Sequence, residues 1–293
     1  MDMNLLWGIL AIVLLLAWSV LYGQTSRRYP GAAKLEMDGI RLQRFAPPML
    51  YVLERIQVSQ RFPLFFFKIQ RSVRQINGQQ RGGEYTMLFL AEMLTYSYLP
   101  LIGGCLISIA MEGEASGFFI GVLLAVLLPV ALISDLHGKV KRREQQILLE
   151  LPELLNKIIL LVGAGSTVQQ AIKQCLERKR GQESHPLYRE LFQMQRECEG
   201  GYSFAQAMEG FSKRCGIQEV SAFTTAVLLN FRRGGSDFVL ALRDLSHSLW
   251  EKRKAVGKTL GEQASSKLVF PMVLLFLIIV VLVGTPAFMI MDL

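Results

Sequence analysis

LVFPMVLLFLIIVVLVGTPAFMIM, Leu268–Met291, is 24 residues without a charge. About 20 apolar residues are enough for a helix to cross the hydrocarbon core of a bilayer. The stretch before it, Asp237–Lys267, has helical spacing and no proline. The spacing therefore predicts one helix that runs from a charged segment straight into a membrane span. Three further runs share the apolar character. Leu5–Tyr22, Met93–Ala110 and Gly117–Ser134 each have 18 residues and no charge. Pro100, Pro129, Pro271 and Pro286 fall inside these runs. Spans tolerate proline because neighbouring helices and local adjustments satisfy the freed backbone groups.

The basic residues are partitioned around these runs. All 32 Lys and Arg lie in Gln24–Tyr85, with 11 against 4 Asp and Glu, and in Asp135–Lys267, with 21 against 15. Basic loops beside spans are retained on the cytoplasmic side. The charge thus reads as topology, and nucleic-acid binding is not needed to explain the net +8. The first run could be a signal peptide, but its leading residues Met1–Asn4 are acidic and Arg27-Arg28 follow it, which favours an uncleaved span.

The expected order is a transmembrane helix at 1–23 and a basic cytoplasmic segment with amphipathic helices at 24–92. A transmembrane hairpin follows at 93–134, a cytoplasmic domain at 135–267 and a last transmembrane helix at 268–293. Both termini lie outside. The fold class is all-α.

The large segment carries an internal repeat. Gly165-Ser-Thr167-Val168-Gln-Gln-Ala171-Ile172 aligns with Gly201-Tyr-Ser203-Phe204-Ala-Gln-Ala207-Met208 and with Gly235-Ser-Asp237-Phe238-Val-Leu-Ala241-Leu242. In each copy the glycine suits the left-handed turn that ends a helix. Thr167, Ser203 or Asp237 then caps the next helix, and Gln170 or Gln206 completes a capping box in two copies. Three helix–turn–helix hairpins, hence a six-helix bundle, follow. Their helices are expected near Pro152–Val162, Thr167–Arg180, Pro186–Glu199, Ser203–Cys215, Gln218–Phe231 and Asp237–Lys267. Phe238, Leu242, Leu245, Leu249, Val256 and Leu260 form a stripe read as core. The spacing is also near that of tetratricopeptide repeats, but their Trp, Gly and Tyr pattern is missing.

In the smaller segment Phe62, Phe66, Ile69, Val73 and Ile76 share one helical face, with Lys68, Arg71 and Arg74 off it. Two readings stay open: a helix lying on anionic headgroups, or one packed on the larger domain.

No catalytic constellation emerges. Gly163-Ala-Gly165 is half a dinucleotide fingerprint, with Val168 where the third glycine belongs and a helix where a strand should precede. GxxxxGK[ST], HExxH and GxSxG do not occur, so nucleotide hydrolysis by the chain itself is not expected. His137, His185 and His247 are scattered, and Cys105, Cys175, Cys198 and Cys215 include no CxxC, so neither metal nor cofactor is expected. Glu92, at the entrance of the second span, is a weak pointer to ion transport.

Arg143…Leu151-Pro152-Glu153-Leu154-Leu155, then Leu160-Leu161-Val162-Gly163-Ala164-Gly165-Ser166 and Ala171, resemble the type II secretion system F-domain family. So do Gly200-Gly201 with Ala207, Arg233-Gly234-Gly235 with Ala241, and the basic helix leading into Leu268-Val269-Phe270-Pro271. Ile76-Asn77-Gly78, Glu84-Tyr85 and Ala91-Glu92 resemble the stretch preceding the hairpin in the TadB and TadC proteins of the tight-adherence (Flp) pilus machinery. General-secretion F proteins and PilC proteins usually carry two such domains; this chain has one.

The resemblance implies a non-enzymatic inner-membrane platform that couples a cytoplasmic hexameric ATPase to pilin extraction. It also implies a second F-domain protein and pilin subunits as partners, and homo- or hetero-oligomers. Arg232 and Arg233 at a hairpin tip, and Lys252, Arg253 and Lys254 on the long helix, are candidate ATPase-docking charges. The plainer reading of each is a solvated cytoplasmic surface. A transporter and a membrane-anchored scaffold for another complex are the alternatives.

Overall fold

A computed structural model describes residues 3–25, 47–77, 82–231 and 236–291. Among them every regular element is a helix. In chain order these are α1 (Met3–Thr25), α2 (Pro47–Ile56), α3 (Val58–Arg61), α4 (Pro63–Asn77), α5 (Gly82–Ala110), α6 (Ser116–Gly163), α7 (Val168–Glu177), α8 (Pro186–Glu199), α9 (Phe204–Cys215), α10 (Gln218–Phe231) and α11 (Ser236–Met291). Four stretches are long and apolar enough to cross a membrane: Asn4–Thr25, Gly82–Ala110, Ser116–Gly163 and Val239–Leu282. Two compact units divide the chain, Met1–Arg143 and Glu144–Leu293.

In the first unit α5 and the start of α6 form a hairpin whose backbones touch. A Cβ added to Gly121 would lie 2.6 Å from the Pro100 carbonyl oxygen and 2.7 Å from the Gly104 Cα. One added to Gly117 would lie 2.6 Å from the Ser108 nitrogen. Gly117, Gly121 and Ala125 recur every fourth residue and so share a face. That is the small-residue spacing by which spans approach closely when no hydrophobic force separates them from lipid. The Ser97 hydroxyl donates to the Ala125 carbonyl at 2.9 Å, giving the hairpin a polar cross-tie.

Aromatic residues clamp α1 to this hairpin. The Trp7 indole N–H donates to the Gly113 carbonyl at 3.1 Å. Tyr98 donates to the Leu14 carbonyl at 2.7 Å and stacks on Trp18 with ring centres 5.1 Å apart. The N-terminal turn of α1 therefore stands beside the short α5–α6 loop.

At the opposite end of α1, α2 and α4 fold onto α5. Met49, Leu50 and Leu53 of α2, Phe66, Ile69 and Val73 of α4, and Leu88, Phe89 and Leu90 of α5 form one buried cluster. The amphipathic stripe of the basic segment thus packs within its own unit. Its Phe66, Ile69 and Val73 face is covered by α2 and α5, while the opposite face of α4 stays open. Phe62, the first member of the stripe, is exposed.

The second unit is built on the end of α6. Ile147, Leu151, Leu154, Leu155 and Ile158 are almost fully buried and fall on one helical face. The sequence suggests a helix beginning at Pro152, after a span ending at Ser134. Instead α6 is one helix from Ser116 to Gly163 that passes through Pro129 and Pro152. A proline removes one backbone hydrogen bond, but the apolar stripe on both sides of Pro152 outweighs that loss. Ala171, Ile172 and Leu176 of α7, Leu187, Tyr188 and Leu191 of α8, Met208 and Phe211 of α9, and Val220, Phe223 and Val227 of α10 complete the core with Leu242 and Leu249 of α11. At roughly 25 cal/mol per Å² of apolar surface, such side chains supply most of the stabilisation.

The stripe on α11 is core only in part. Leu242 and Leu249 are buried, Leu245 is packed at the edge, Val256 is half-buried and Leu260 is exposed. From Gly257 to Leu282 every residue of α11 is exposed. The Phe238 side chain lies outside the described residues.

Candidate functional site

The hairpin turns follow from local chemistry. Gly165 and Gly201 hold φ of +94° and +96°, a region closed to most L residues. Thr167 then takes extended backbone and accepts from the Gln170 N–H at 3.3 Å, while the Gln170 side chain accepts from the Thr167 N–H at 3.2 Å. Ser203 and Gln206 repeat the arrangement at 3.2 and 3.1 Å. Arg232, Arg233 and Gly235 lie outside the described residues, as does the side chain of Asp237.

The long α11 is anchored to the second unit along one side. Ser246 donates to the Asn156 side-chain oxygen at 2.7 Å, between the buried Leu242 and Leu249. One turn further on, Lys252 pairs with Glu219 of α10. Lys254 pairs with Glu251 at 3.0 Å, and the Arg253 guanidinium lies 4.8 Å from the Trp250 ring centre. Each of these three candidate docking cations therefore has a neighbour in its own chain. Exposed pairs of this kind contribute little to stability, and Lys254 remains 71% exposed.

A polar cluster joins α6, the turn after α7, and α8. Tyr188 donates to Glu150 Oε1 at 2.6 Å, and Lys179 Nζ donates to the same oxygen at 3.0 Å. Burial, then the hydrogen bond to Glu150, push the Tyr188 phenol far above its ordinary range, so it is a permanent donor rather than an acid or base. His185 caps α8 by accepting from the Leu187 N–H at 3.3 Å through Nδ1. Burial holds its pKa below the usual histidine value, and Lys179 pushes the same way against an opposing pull from Glu150.

Between α7, α8 and the start of α9 lies an open cavity of about 370 Å³, lined by Ile172, Leu176, Met194, Tyr202 and Phe204 with Lys173, Cys198 and Glu199. Burial, followed by the charges of Glu197 and Glu199, pushes the Cys198 thiol up and keeps it protonated. The cavity offers packing and hydrogen bonds rather than a nucleophile.

Glu92, reachable from the interface by sequence, is buried at 3% exposure in α5. The four cysteines are free, and among the described residues no three His, Cys, Asp or Glu side chains converge. The glycine contact of the α5–α6 hairpin was missed from sequence, although Gly117-x-x-x-Gly121 is written there and carries that signal.

Residues 154–286 match the family model of the type II secretion system (T2SS), protein F. No curated protein and no solved structure matches the chain. Proteins of the F family are membrane platform proteins of secretion and pilus systems, generally without catalytic activity, and they interact with secretion ATPases and other platform proteins.

Proposed function

We propose, from the protein F domain that residues 154–286 form, that the chain is an inner-membrane platform subunit of a pilus or type II-like secretion machine. The domain lies in the cytoplasm as a bundle of three helical hairpins and docks on a hexameric ATPase. The spans hold pilin subunits as they leave the membrane, and a second F-domain protein completes the platform. Both termini lie outside. A single F domain with three spans before it favours the TadB and TadC branch of the tight-adherence pilus.

One observation carries the reading. Leu242, Ser246 and Leu249 fix α11 in the core, and the same uninterrupted helix continues to the apolar stretch 268–282. At about 1.5 Å per residue, the step from Leu249 to Leu282 covers some 50 Å. A displacement imposed on the domain is thereby delivered to the bilayer without a joint.

The deciding experiment is a crosslinked pull-down of the tagged chain from its native membrane, read by mass spectrometry. Recovery of a hexameric secretion ATPase, a second F-domain protein and a pilin is the expected result. Recovery of the chain alone, or of unrelated membrane proteins, overturns it.

A further inference from the structure

The first turn of α4 presents an apolar surface that the fold leaves open. Leu64 is 87% exposed and Phe67 63%, with Phe62 and Phe65 exposed beside them. Lys68 and Arg71 follow on the same side of the helix, one and two turns further along, and both are exposed. The core-facing stripe Phe66, Ile69 and Val73 is already occupied by α5 and α2, so Leu64, Phe67, Lys68 and Arg71 form a separate surface, with the exposed Phe62 and Phe65 beside it at the start of the helix.

The position of that surface along α5 can be read from close contacts. Arg74 lies against Gly82 and Gln70 against Gly83, which runs α4 antiparallel to the first turns of α5. Counting back at about 1.5 Å per residue from Arg74 brings Phe67 and Phe62 level with Phe89 and Leu94. The uncharged run of the second span begins there, at Met93. The aromatic end of α4 therefore points toward the hydrocarbon. Measured from Leu64, its cations Lys68 and Arg71 sit roughly 6 and 10 Å further out along the axis, where a headgroup layer would be.

We infer that this end of α4 is a lipid-binding surface. Phe62, Leu64, Phe65 and Phe67 enter the bilayer interface, and Lys68 and Arg71 engage anionic phospholipid headgroups. The gradient from apolar to cationic along one helix matches the gradient of an anionic leaflet, and each cation near such a surface adds a similar increment of affinity. A protein partner would have to fit both an annular lipid boundary and a point-charge pattern. On the proposed platform reading α5 is itself a span, which sets a bilayer beside this end of α4.

The test uses the full chain in nanodiscs of phosphatidylcholine with or without phosphatidylglycerol. A photoreactive residue stands at position 64 or 67, both exposed enough to leave the core alone. Position 277 in the last span serves as a lipid-facing control. Phospholipid adducts are expected at 64 and 67. Phosphatidylglycerol should be enriched roughly fivefold for each cation, and K68E/R71E should lose that enrichment while adducts at position 277 persist. Absence of lipid adducts at 64 and 67 with a working control overturns the inference. So does enrichment that K68E/R71E leaves unchanged, or adducts in native vesicles that are predominantly to another protein.

Discussion

Arg214 of α9 donates from Nε to Glu190 of α8 at 2.9 Å, and both side chains are more than nine-tenths buried. A second nitrogen of the same guanidinium reaches Glu197 at 2.7 Å. Gly210, one turn before Arg214, supplies the room: a Cβ there would lie 3.0 Å from the guanidinium and 3.3 Å from Glu197. Removing one member of a buried pair strands the other in a poor solvent. Arg214→Met should lower stability by about 3–5 kcal/mol. Pairing it with Glu190→Met should restore much of the loss, read as thermal midpoints of the full chain in detergent.

The hairpin of α5 and α6 tolerates no side chain at its contact. Gly121→Val should destabilise by about 1–3 kcal/mol, because the obstacle is backbone on the facing helix and cannot rotate away. Gly103→Ala, where nothing lies within 4 Å, should be neutral in the same thermal assay.

Thr167→Ala and Ser203→Ala each remove a capping box. Each should cost about 1 kcal/mol, and the double variant about 2, since the sites share no partner. Gly201→Ala should cost about 1–2 kcal/mol from its positive φ alone. Denaturant midpoints would check all four.

Acid should loosen the second unit through His185. Unfolded, the ring takes up a proton near pH 6.5; folded, burial depresses its pKa and the Leu187 N–H needs Nδ1 as an acceptor. The unfolded chain thus binds more protons, and stability falls as pH drops through about 6.5 and continues falling until the folded ring is itself protonated. His185→Asn keeps a capping acceptor that does not titrate. Its thermal midpoint should stay flat in the window where the natural chain declines.

On the platform reading, R232E/R233E should abolish piliation while the protein accumulates to normal levels in the membrane. Normal piliation would remove these two residues from the ATPase interface.

Much of this organisation was legible in the sequence. Spans are written as charge-free runs, and the turns at Gly165 and Gly201 as glycine, cap and glutamine in fixed order, because both signals are local. Continuity of α6 through Pro152 was not legible, since proline is a local stop sign and the stripe from Ile147 to Ile158 that overrules it acts through tertiary packing. Nothing in the helices of Glu190 and Arg214 reveals that the two face each other 24 positions apart. For α4 the stripe was visible but not its cover, because Leu88 and Phe89 precede the charge-free run at Met93 and join it in one helix only in the structure. Of the candidate docking charges, the partner of Lys252 became apparent only once α10 and α11 lay side by side, whereas Trp250 stands three residues before Arg253 on the same helix.

The contact between Gly104 and Gly121 also bears on how the chain is made. Ser97 and Ser108 lie on the same ridge of α5 as Pro100 and Gly104, and both hydroxyls are satisfied inside the hairpin, by the carbonyls of Ala125 and Glu114. Two helices joined by so short a loop can zip together while still sheltered by the insertion machinery. The polar atoms are then already paired when the hairpin partitions sideways into lipid. During biosynthesis the second and third spans would leave as one cargo, and a bulky residue at position 121 would be felt as an insertion defect before it was ever felt as a loss of stability.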